Sequence, residues 1–93
     1  MDKKKKVVSN KEKSKNTLQN INPAELFDKG FQAQAIYDYP AAIELFTSAL
    51  TVEDVSPEMA YEILDQRAEC FERMGQFADE QDDLDKMVEI ARI

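Results

Sequence analysis

Histidine and tryptophan are absent from this 93-residue chain, cysteine occurs once, glycine twice and proline three times. Without histidine the chain lacks the commonest general base and the commonest metal ligand. A single cysteine, Cys70, excludes an intramolecular disulfide, and with no histidine to activate it, it reads as a buried structural thiol. Two glycines, Gly30 and Gly75, leave no material for a glycine-rich phosphate loop. Asp82-Asp83-Leu84-Asp85 lacks the glycine and the spacing of a calcium loop and reads as a solvated acidic helix face. No apolar run approaches the roughly 20 residues of a membrane span, and the N-terminus has no apolar core of a secretory signal. These absences point away from an enzyme and imply neither metal nor cofactor. A reducing compartment, cytoplasmic or nuclear, fits the cysteine usage.

What is present is a chain that is 43% apolar and 33% charged, a globular balance for one small domain. The net charge of −7 divides into two opposite parts. Residues 1–16 carry seven lysines against Asp2 and Glu12, a charge of +5, so the remainder carries −12. Residues 1–20 are polar and aperiodic and read as a disordered basic arm. The run Lys3-Lys4-Lys5-Lys6 has the composition of a nuclear import signal or a weak polyanion contact. The simpler reading is a solubilising tail. No aromatic side chain stands among the lysines to stack on a base, so specific nucleic-acid binding is not expected.

Residues 21–93 read as all-α. Asn22-Pro23 and Ser56-Pro57 are cap-plus-proline starts, Asp38 and Pro40 mark a turn into a further helix, and Gly75 supplies a helix stop. The spacing predicts helices over about 23–36, 40–53, 57–74 and 77–90. In the second, Ala42, Ile43, Phe46, Ala49 and Leu50 form one apolar face. In the first, Leu26, Phe27, Gly30, Ala33 and Tyr37 do the same, and a glycine there predicts a close helix approach to Ala42 and Ala49.

The pattern returns after 38 residues: Gly30 gives way to Ala68 and Tyr39 to Phe77. A small residue in a first helix, an aromatic opening the second and an apolar stripe along it resemble the tetratricopeptide repeat. The resemblance spans Pro23 to about Ile90 as two copies, 23–56 and 57–93, with about four extra residues between them. It implies antiparallel helix pairs in a short right-handed α-solenoid. The second copy departs from the pattern where Glu80 and Gln81 take the places of Ala42 and Ile43, because an unpaired carboxylate is costly on a helix-facing position.

The resemblance also implies an adaptor or scaffold that binds a peptide or a partner helix in a concave groove. Carried over by position, Phe27, Phe31 and Gln34 line that groove from the first helix, and Glu62, Asp65, Gln66, Glu69 and Arg73 from the third. One subset of the family clamps the C-terminal carboxylate of heat-shock chaperones with lysine and asparagine. Here Phe27 and Phe31 stand at the first lysine and asparagine positions and Gln66 at the next asparagine, which is the wrong chemistry for an anion. An apolar half beside an acidic half suits a basic partner instead. The alternative is that both phenylalanines belong to the core and the acids merely solvate a face.

Two further readings remain open. The segment 64–76 is similar to the N-terminal repeat portion of some fungal F-box proteins of ubiquitin ligases, which would make the chain one part of a longer protein. The other reading is a structural half-solenoid that self-associates or continues into further repeats. Met87, Val88, Ile90 and Ile93 span more than one side of the last helix, so they mark a self-association or partner surface. The lysine-rich arm offers little apolar area to cover it.

Overall fold

Local capping chemistry sets the element boundaries in the computed structural model, which describes residues 22–92. Four helices follow one another, α1 (Pro23–Ala35), α2 (Tyr39–Leu50), α3 (Pro57–Arg73) and α4 (Phe77–Ala91). The basic arm and Ile93 lie outside the described residues. Asn22 Oδ1 accepts from the Ala24 N–H at 2.8 Å, Asp38 Oδ1 from Ala41 at 3.3 Å and Ser56 Oγ from Met59 at 3.1 Å. Each bond satisfies one of the donors that a helix start leaves free.

Both helix hairpins turn in the same way. After α1, Tyr37 takes φ 65° and the Asp38 N–H reaches the Ala33 carbonyl at 2.9 Å; after α3, Gly75 takes φ 74° and the Gln76 N–H reaches Phe71 at 2.8 Å. This left-handed cap closes a helix by pairing its last carbonyls. Tyr37 therefore does not extend the apolar face of α1, as its spacing suggested: it stands past the helix end and is 76% exposed. The second helix also stops earlier than expected, at Leu50. Thr51 turns its hydroxyl onto the Ser48 carbonyl at 2.7 Å, and Asp54 adopts φ 67° in the connection to α3.

Short connections make consecutive helices antiparallel. α2 packs between α1 and α3, α4 packs on α3, and α1 touches α3 more lightly. The apolar centre is built from Ala42, Phe46, Ala49, Ile63 and Cys70, with Leu26, Phe27, Val55 and Met59 packed around it. The nearest approach at Gly30 is made by the Phe46 ring. A methyl group on Gly30 would lie 2.5 Å from Phe46 Cε1, well inside contact distance, so the glycine makes room for the ring. The 38-residue shift carries this pair onto Ala68 and Leu84, where a larger small residue accompanies a smaller large one.

The second hairpin departs most from its sequence reading at Asp83. This residue is 1% exposed, not part of a solvated acidic face. Arg67 clamps it through two bonds, Nε to Oδ2 at 2.8 Å and Nη2 to Oδ1 at 2.6 Å, and reaches Thr47 Oγ1 on α2 at 3.0 Å. A buried carboxylate is tolerated when a guanidinium meets it fork to fork. Among the described residues no helix is long and apolar enough to cross a membrane.

Candidate functional site

The residues assigned to a groove fall on α1 and α3, which run in the same direction and touch. On α1, Phe27 and Phe31 are one helical turn apart, and their rings stack with centroids 5.8 Å apart and 14° between planes. Phe27 also tilts against Phe46, 5.7 Å between centroids, so one of the pair is anchored in the core. Phe31 remains 51% exposed. Phe27 is core support and Phe31 is uncovered apolar surface. Gln34 is half-buried. Its Oε1 is shielded from solvent and has no partner among the described residues, which costs about 1–3 kcal/mol until a donor reaches it.

On α3, Glu62, Asp65 and Glu69 are exposed and Gln66 is half-buried. Arg73 meets Glu69 at 3.7 Å across one turn, with both side chains about half exposed. At that exposure the pair contributes little stability. Arg67 belongs to the other side of α3: its guanidinium lies 5.5 Å over the Phe71 ring while it holds Asp83. The acids on the outer side of α3 are left without that cation.

Cys70 is fully buried. Burial, with the neighbouring Glu69 carboxylate adding to it, pushes its thiol up from 9.0 to about 11. At neutral pH it is a protonated, inert thiol. Among the described residues no group of three acidic, cysteine or histidine side chains is placed to hold a metal ion.

The four residues assigned to a partner surface separate in space. Met87 is buried, Ile90 is half-buried and Val88 is 51% exposed; Ile93 lies outside the described residues. Met87 therefore serves α4 packing and not an outer face. Ile90 has a different setting, at the wall of a cleft of about 560 Å³ that it shares with Pro57, Glu58, Tyr61, Glu62 and Ala91.

Two features went unread in the sequence, the cleft and the Arg67–Asp83 clamp. The clamp left a signal: Arg67 sits between Ile63 and Phe71 at intervals of four, and Asp83 stands four residues before Met87. Each charge therefore interrupts an apolar stripe, and the two signs are opposite. The cleft left none, because it depends on how the start of α3 meets the end of α4. Set against protein-family models, curated proteins and solved structures, the chain matches none of them.

Proposed function

We propose that this chain is a protein–protein interaction module of tetratricopeptide type, acting as an adaptor rather than as a catalyst. In this reading two helix–turn–helix units 38 residues apart form a short solenoid, and the face of α1 and α3 receives an extended peptide. The recurrence of the same left-handed cap at Tyr37 and Gly75 supports the repeat. The observation that carries the binding assignment is the Phe27–Phe31 stack, with Phe31 uncovered and α3 alongside presenting Glu62, Asp65 and Glu69. An exposed aromatic anchor next to carboxylates favours a peptide with an apolar residue flanked by lysine or arginine.

The test is fluorescence polarisation with labelled peptides of both signs. Peptides carrying Lys or Arg beside an apolar residue bind more tightly than acidic C-terminal ones, and their affinity falls with added salt. Phe31→Ala weakens the basic peptide by about tenfold, the loss of an interface anchor worth about 1.4 kcal/mol. Tighter binding of the acidic peptides would sink the assignment.

A further inference from the structure

We propose that the cleft between the start of α3 and the end of α4 receives the chain's own segment Lys3–Val8, four lysines followed by two valines. The cleft offers the two chemistries this segment needs. Tyr61, Ile90, Pro57 and Ala91 give it apolar walls, and Glu58 and Glu62 give it carboxylates. None of the lining residues is a cation. Among the described residues neither Glu58 nor Glu62 takes part in an ion pair. About 560 Å³ is the size of a small-ligand pocket, enough for one or two valine side chains. The arm cannot blanket a helix face, but it can fill a cleft of this size.

The topology puts both parties at one end of the molecule. α1 and α3 run the same way and touch, so the arm enters α1 at the end of the molecule where α3 begins. Thirteen residues separate Val8 from Asn22, a tether of up to roughly 45 Å when extended, against the ~10 Å between neighbouring helix axes. The connection between α2 and α3 adds Glu53 and Asp54, both exposed, to the acids of this end. An arm of +5 is thus tethered beside a body of −12. Tethering gives an effective concentration in the millimolar range, so even a weak contact is populated. The contact is electrostatic in part, and salt weakens it. Except for Glu62, the cleft is separate from the surface proposed above for peptides.

The experiment uses the full chain and its amide and methyl NMR spectra at low salt. Changing Lys3, Lys4, Lys5 and Lys6 to Gln and Val7 and Val8 to Ser shifts the resonances of Tyr61, Glu62 and Ile90. In the converse variant, Glu58→Gln with Ile90→Ala shifts the amides of residues 3–8. Neither variant touches Phe27 or Phe31, so peptide binding at the α1 and α3 face is a separate outcome. Raising salt from about 20 to about 500 mM, well past the screening range, makes the wild type resemble the arm variant. Three results overturn the proposal: no shift at the cleft when the arm is changed, shifts spread evenly over the four helices, or shifts that fade on dilution. The last would mean that the arm comes from a second copy.

Discussion

Arg67 and Asp83 carry opposite charges into a region that water barely reaches, with side chains 13% and 2% exposed. Their mutual geometry makes the arrangement tolerable, and removing one partner strands the other. Asp83→Ala should cost about 2–4 kcal/mol in urea unfolding, toward the low side because Thr47 still holds the guanidinium. Asp82→Ala, one residue away and exposed, should change stability by less than about 0.5 kcal/mol. Equal effects would mean that the clamp is not formed in solution. A second prediction of this scale concerns Gly30. Gly30→Ala gains about 1 kcal/mol of helix propensity and loses about 1–3 kcal/mol to overpacking against the buried Phe46 ring, so the protein is destabilised. The second hairpin suggests the remedy, since it has Ala68 and Leu84 at the corresponding places. In a double-mutant cycle with Phe46→Leu, the two changes should couple favourably by about 1 kcal/mol. Additive effects would show that the ring is not what excludes the methyl group.

Helix starts and stops were legible wherever one residue type carries the geometry. Asn22-Pro23 and Ser56-Pro57 opened α1 and α3, and Gly75 closed α3, because asparagine, serine and glycine each have a local chemical reason to stand there. The end of α1 was less legible. Tyr37 occupies the same left-handed cap as Gly75, but nothing in a tyrosine announces φ 65°; a non-glycine residue pays roughly 1–2 kcal/mol for it. The end of α2 was misplaced by three residues, since Thr51 and Val52 continue the chain without a glycine or proline to break it. The start of α4 is the weakest joint. Gln76 adopts φ −93° and ψ 74°, almost the angles of Asp38 at −89° and 73°, yet it makes no side-chain cap. Gln76→Asp supplies the acceptor that α2 already has and should raise stability by about 0.5–1 kcal/mol, as read from the denaturation midpoint. A lowered midpoint would mean that crowding with Asp79 and Glu80 outweighs the cap.

At the scale of the whole molecule the apolar core is lopsided. Its central cluster draws on α2 and α3, with α1 packed around it, and takes no residue from α4. Met87 is buried apart from that cluster, and the Arg67–Asp83 clamp ties α4 to α3. The sequence showed the four helices, because caps, turns and apolar spacing are local patterns. It did not show this imbalance or the cleft at the end of α4, which arise from how four stripes of unequal width meet. The consequence is a gradient of stability along the chain, lowest where the apolar core is thinnest. In native-state hydrogen exchange the amides of α4 should open at a lower free energy than those of α2 and α3. Cys70 gives an independent reading of the same gradient. Burial, with Glu69 adding to it, pushes its thiol up to about 11, so at pH 8 the buried form holds far less thiolate than an exposed cysteine and is also shielded from reagent. Alkylation of the native protein should therefore wait for α3 to open and match the slow amides of α3, not the faster ones of α4. In the unfolded chain the rate should climb as pH rises toward 9. Exchange in α4 as slow as in α3 would show instead that the clamp binds all four helices into one cooperative unit.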